Sequence, residues 1–129
     1  MSSITKHVEK QLDRWFAAIK SCNPTRVTNL YADDAILLSN LQGDVKKGHR
    51  EIHAYFKGAF LAKHPIGKLV EGHTRVIGGT AVNSGLYSIK MDGKDGRRVT
   101  VQARHTFVYQ WLGNDWKIVE HHSSLIPQD

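Results

Sequence analysis

Apolar residues recur at helical spacing through the first twenty positions. Ile4, Val8, Leu12, Trp15, Phe16 and Ile19 form one wide stripe, which predicts an amphipathic helix over 4–21. Asn23-Pro24 is a helix start, a capping side chain followed by proline at the first helical position. It predicts a short second helix over 24–31, ended by Ala32-Asp33-Asp34. Ala35 to Ser39 reads as a short apolar strand and Asn40 to Lys47 as a loop. Gly48 precedes a third helix over 50–62, with Ile52, Tyr55, Phe56, Ala59 and Phe60 on one face. Pro65 and Gly67 then break the chain.

From Lys68 onward the period changes from 3.6 to 2, and only strands and turns are expected: 69–77, 81–91, 98–112 and a last strand over 116–124. Gly78-Gly79, Asp92-Gly93, Asp95-Gly96 and Gly113-Asn114 mark the turns between them. In the long strand Val99, Val101, Ala103, His105, Phe107, Tyr109 and Trp111 share one parity, and Arg98, Thr100, Gln102, Arg104, Thr106 and Gln110 the other. Helices first and an antiparallel meander afterwards predict an α+β layer fold, one domain over 1–129, with the helices over one face of the sheet.

The last strand carries titratable groups where a plain structural strand would carry valines. Val119, His121 and Ser123 fall on one face; Ile118, Glu120, His122 and Ser124 fall on the other. Two such faces fit a sheet covered on one side by helices and on the other by a second subunit.

Composition adds limits. Hydrophobic content of 40% and charged content of 23% are ordinary for a globular protein. The net charge of +6 raises nucleic acid as a partner, but the basic residues (Lys46-Lys47, Arg97-Arg98, Lys63, Lys68) are scattered and no aromatic-basic RNA-binding motif occurs, so none is expected. The single cysteine, Cys22, excludes an internal disulfide. No apolar run approaches the ~20 residues of a membrane span, and residues 1–7 lack a signal-peptide core. A cytoplasmic location with no membrane partner is the expectation.

In this order and spacing, several stretches carry a resemblance. They are Gln11-Leu12 with Ala18-Ile19, Gly48 with Ile52 to Phe56, His73 to Gly78, Thr106 to Tyr109, and Trp116 to Ser124. The chain resembles the nuclear-transport-factor-2-like superfamily, which includes ketosteroid isomerase and polyketide cyclases. Within it the chain is most similar to the association (hub) domain of calcium/calmodulin-dependent protein kinase II and its small bacterial relatives. The resemblance implies a cone-shaped, cystatin-like fold, in which a curved antiparallel sheet carries the N-terminal helices over its concave face. It also implies a pocket between sheet and helices, and assembly through the sheet into a homodimer or larger ring. It implies neither kinase activity nor calmodulin binding. The kinase hub lines its cavity with arginines suited to a carboxylate; at the positions matched to two of them stand Phe107 and Ser123.

Pairing the last two strands puts His105, Phe107, His121 and Ser123 on one face. Two imidazoles facing a cavity suit binding of a small organic ligand or acid/base transfer. Ser84, Tyr31 and Tyr55 are expected to add hydrogen bonds there, with Trp15 over the pocket. The other parity, Arg75, Arg104, Glu120 and His122, is expected at a subunit interface, with Arg104 and Glu120 as a natural ion pair. If a bulge exchanges the faces, these become the pocket groups instead.

His49 and His53 have a spacing that can ligate zinc, but read as surface residues, and neither metal nor cofactor is expected. Three functions stay open: a self-associating small-molecule binder, an isomerase, cyclase or dehydratase using His105 and His121, and an oligomerisation module alone.

Overall fold

The structure, a computed structural model, describes residues 3–127. The first helix, α1 (Ser3–Lys20), buries Val8, Leu12, Trp15, Ala18 and Ile19 along one stripe. The next, α2 (Pro24–Thr28), is capped as its sequence predicts: the Asn23 side chain accepts from the backbone N–H of Thr25 and Arg26. It is shorter than expected. Asn29 N–H closes on Thr25 and Val27 carbonyls, and the chain then turns straight into β1 (Tyr31–Leu38). Tyr31, Asp33 and Asp34 therefore belong to a strand, not to a helix and its cap. The reason is pairing: Ile118 N–H bonds to Leu30 O, and Tyr31 stands beside Ile118 in the sheet.

A two-residue strand, β2 (Lys46–Lys47), edges β1 within the segment expected to be loop. The third helix, α3 (Gly48–Tyr55), passes into a π-helical turn over Phe56–Phe60 and a 3₁₀ turn over Leu61–Lys63. The wider turn lets Tyr55, Phe56, Phe60 and Leu61 all reach the interior. Four strands follow: β3 (Ile66–Ile77), β4 (Thr80–Asp92), β5 (Arg98–Trp111) and β6 (Trp116–Leu125).

The six strands form one curled open sheet in the order β2-β1-β6-β5-β4-β3. The meander β3 to β6 is antiparallel, whereas β1 lies parallel to β6. Curl is built in where β3 bulges between Leu69 and Glu71. Opposite the bulge stands Gly85, where an added Cβ would lie 1.9 Å from Glu71 O. Gly67 plays a matching part under α1, since a Cβ there would strike the Phe16 ring and the Ile89 side chain.

A second bulge resets the last strand. Val108 opposes Glu120 but Tyr109 opposes Ile118, leaving Val119 as the extra residue. Strict alternation therefore fails there. Trp116 and Ile118 point inward on one side of the bulge and His121 and Ser123 on the other, while Val119 is only half-buried. The expectation that Ile118 shares a face with Glu120 and His122 is overturned by this extra residue.

Candidate functional site

The inner face of β4, β5 and β6 is set by the ladder register. Asn83 opposes Phe107, which opposes His121; Gly85 opposes His105, which opposes Ser123; Tyr87 opposes Ala103. Helix α1 and the aromatic turn after α3 close over these residues. The core so formed is dense with rings. Phe107 stacks on His121 with centroids 3.9 Å apart, and Trp15 meets Phe107 edge-on at 5.3 Å and His121 at 5.4 Å.

Through this apolar packing runs a chain of buried hydrogen bonds. Trp15 Nε1–H donates to Tyr31 Oη at 3.1 Å. Tyr31 Oη lies 2.7 Å from His121 Nδ1, and His121 Nε2 lies 2.7 Å from Ser123 Oγ. Tyr87 Oη donates to Ser123 Oγ at 2.8 Å. A separate, shorter chain holds the second histidine: His105 Nε2 lies 2.8 Å from Asn83 Oδ1, and Asn83 Nδ2 donates to Thr74 Oγ1 at 2.7 Å. Among the described residues, His105 Nδ1 and Tyr109 Oη are buried without a partner.

Electrostatics follow from burial. Desolvation lowers His105 to a pKa of about 4. Desolvation, with smaller contributions from His105 and His122, holds His121 well below its ordinary value. Tyr31 is pushed far up by desolvation despite the Trp15 hydrogen bond, and Tyr55 is pushed up to about 12. Both imidazoles are thus neutral at pH 7, and no aspartate or glutamate among the described residues is buried with them.

The space left is small. A cavity of about 20 Å³ remains between Trp15, Tyr55, Phe56, Phe60, Tyr87, His121 and Ser123, with Ser39 and Asn40 at its rim. One water fits such a volume. Organic ligands occupy roughly 300–1,000 Å³.

Of the residues singled out from the sequence, Trp15, Tyr31, His121 and Ser123 are brought into one hydrogen-bonded chain, and Phe107 packs on it. His105 lies on the same face but in the other chain, so the two histidines are not a bonded pair. Tyr55 lines the cavity, as does Ser39. Ser84 does not reach the interior: it opposes Thr106 and His73 on the outer face, because its neighbours Asn83 and Gly85 take the inner positions.

Arg75, Arg104, Glu120 and His122 all lie on the outer face. Arg104 opposes Ser124 and Glu120 opposes Val108, so the expected ion pair is spread over four residues of strand, ~13 Å at ~3.3 Å per residue. Asn83, Thr74 and Tyr87 were missed. The signal was available in the parity of β4, where Ala81, Asn83, Tyr87 and Ile89 share one face.

His49 Nε2 lies 2.6 Å from Tyr31 O and His53 reaches Thr25 Oγ1 at 3.5 Å, so the two histidines do not converge. Among the described residues no group of three or more histidine, cysteine or acidic side chains is placed to hold a metal, and no helix is long and apolar enough to cross a membrane.

A curled open sheet with helices packed over its inner face is a nuclear-transport-factor-2-like fold. An NTF2-like superfamily protein from Salmonella enterica superimposes with a TM-score of 0.87 at 19% identity, covering 98% of this chain and 93% of that one. Within that class the profile of the calcium/calmodulin dependent protein kinase II association domain matches residues 5–127, and the chain belongs to this family. A Xanthomonas campestris protein described as such an association domain is 36% identical over 95% of this chain and 87% of its own, with a TM-score of 0.88. The Chlamydomonas reinhardtii CaMKII hub homology domain shares the fold at 21% identity, with a TM-score of 0.78 over 97% of this chain and all of that one. No curated protein matches.

Proposed function

We propose that this chain is a self-associating domain whose contact surface is the open outer face of the sheet. The observation that carries this is a set of three adjacent rows across β3, β4, β5 and β6. They read Glu71–Leu86–Arg104–Ser124, His73–Ser84–Thr106–His122 and Arg75–Val82–Val108–Glu120. The middle row is uncharged apart from its histidines. The outer two carry opposite charges in reversed order.

A two-fold axis lying along the middle row places the first row of one protomer over the third row of its partner. Glu71 then faces Arg75, and Arg104 meets Glu120 from a neighbouring strand. An isologous interface needs this kind of self-complementarity. It also gives Arg104 and Glu120, too far apart within one chain, a partner each. Membership in an association-domain family supports the same reading.

Native mass spectrometry and sedimentation test it. A dimer or larger ring is expected at micromolar concentration. Glu120→Arg should dissociate it, and Arg104→Glu in the same chain should restore it. A wild-type monomer at these concentrations overturns the proposal.

A second reading, binding of a small organic ligand in the cone, is favoured by one observation: the wall of the cavity is the π-helical turn Phe56–Phe60, an irregular segment of the kind often found at functional sites. Admission of such a ligand requires Phe56 and Phe60 to leave the interior. Shifts in their ring resonances on adding a ligand are the measurement for it. An acid/base enzyme fits less well, because the two imidazoles sit in separate chains with no carboxylate beside them.

A further inference from the structure

One end of the outer sheet face carries positive charge that no carboxylate among the described residues balances. In the ladder, Ile66 opposes Lys90, which opposes Thr100; one row on, Lys68 opposes Ser88, which opposes Gln102. Lys68 and Lys90 are therefore diagonal neighbours on one face. Side chains so placed have Cβ atoms about 7–8 Å apart, within joint reach of a single small group for two four-carbon stems. Ser88 lies between them and Thr100 beside Lys90. These side chains line a groove of about 350 Å³ whose apolar wall is Ile66.

The acidic groups nearest this groove are already engaged. Asp92, one row beyond Lys90, takes Arg98 Nη1 at 2.9 Å and His64 Nδ1 at 2.9 Å. Asp95 is held by Arg97, and Glu71 by His73. Among the described residues neither the Lys68 nor the Lys90 ammonium has a carboxylate within ion-pair distance. Ser88 adds an independent sign. Its residue is 8% exposed and lines the groove. A hydroxyl lining the groove between two ammonium groups adds a neutral donor to their charge, a mix that suits an oxyanion.

We infer that this groove binds a small oxyanion, the phosphate or carboxylate group of a small molecule, through Lys68, Lys90, Ser88 and Thr100, with the rest of the molecule against Ile66. The groove lies on the opposite side of the sheet from the His121 chain and beyond the three rows assigned to self-association. It stands independently of both.

The test is a titration of the intact protein with sodium phosphate and, separately, sodium acetate, each against sodium chloride at matched ionic strength, followed by amide chemical shifts. Saturable shifts centred on Lys68, Ser88, Lys90 and Thr100 are expected. Preference between the two salts identifies which oxyanion the site takes. Lys68→Gln with Lys90→Gln should weaken binding at least ten-fold, and Ser88→Ala several-fold, with the sedimentation behaviour of the wild type retained. Shifts equal in chloride, shifts spread over Lys63, Lys94 and Arg97 as a diffuse counter-ion cloud, or binding that survives the double substitution would each overturn the inference.

Discussion

Tyr31 Oη and His121 Nδ1, ninety positions apart in the chain, lie 2.7 Å from each other in the sealed interior. Their bond is one of four that link Trp15, Tyr31, His121, Ser123 and Tyr87. With His121 neutral these five groups bring five N–H or O–H hydrogens to four links, so one hydrogen is left over. If Tyr31 donates to Nδ1, then Nε2–H donates to Ser123 and the spare hydrogen sits on the serine hydroxyl, which faces the 20 Å³ cavity. If the imidazole donates to Tyr31 instead, the spare hydrogen is stranded on the tyrosine, which does not line that cavity. The first arrangement has an outlet and the second has none.

His121 is therefore expected to carry its proton on Nε2, with one ordered water in the cavity accepting from Ser123 and reaching the rim at Ser39 or Asn40. Nitrogen-15 spectra of the imidazole distinguish the tautomers directly. A protonated Nδ1 would reverse both imidazole bonds, to Tyr31 and to Ser123, and leave those of Trp15 and Tyr87 as they are.

Replacing Ser123 by alanine removes one oxygen but strands two buried donors, His121 Nε2–H and the Tyr87 hydroxyl. Each buried donor left without an acceptor costs about 1–3 kcal/mol. A loss of about 2 kcal/mol or more in urea unfolding is expected. Ser124→Ala, one residue along on the outer face, should stay within about 0.5 kcal/mol of wild type.

Acid should weaken the fold through the same histidines. Burial lowers the folded pKa of His105 to about 4 and that of His121 in the same direction, while an unfolded histidine titrates near 6.5. The unfolded chain thus binds more protons as pH falls below about 6.5. The contribution is fully present above that value and is lost as pH drops toward about 4. For His105 alone it amounts to roughly 2 kcal/mol over this window. Urea midpoints at pH 7 and pH 5 should differ in that sense, and His105→Gln should flatten the slope.

Gly85→Ala is expected to be severe. The new methyl carbon would lie 1.9 Å from Glu71 O, a backbone atom held by the bulge of β3, so the strand itself must move. A loss of about 3 kcal/mol or more in thermal or urea unfolding is expected, the size of a strong core defect. Gly43→Ala, where a Cβ meets nothing within 4 Å, is the control.

Much of this architecture is legible in the sequence. The stripe of α1, the Asn23 cap and the alternation of β5 follow from periods and local hydrogen bonding, which act over a few residues. What stayed hidden depends on partners far along the chain. Tyr31 begins a strand because Ile118 and Leu30 meet, and no local feature of Ala32-Asp33-Asp34 announces that. Ser84 is expected inside from the sequence, and only its register to Thr106 puts it on the outer face. The bulge at Val119 shifts one residue of β6, and that shift alone decides that Ile118 and His121 both face the core. The candidate site was readable as His105, Phe107, His121 and Ser123 on one face. Its division into two hydrogen-bonded chains was not, since that rests on which polar side chains of β4 and α1 come within reach.

The parallel pairing of β1 with β6 has a kinetic consequence. The strand at the middle of the sheet is the last to leave the ribosome, so everything from Tyr31 to Leu38 waits for a neighbour about eighty residues behind it. Local helices and the β3–β4–β5 meander can form early, but the cone closes only through contacts of long sequence separation, the slowest kind to make. Until then the aromatic side chains of the interior are exposed to whatever is near. The interval before closure is therefore when contact between unfinished chains does the most harm.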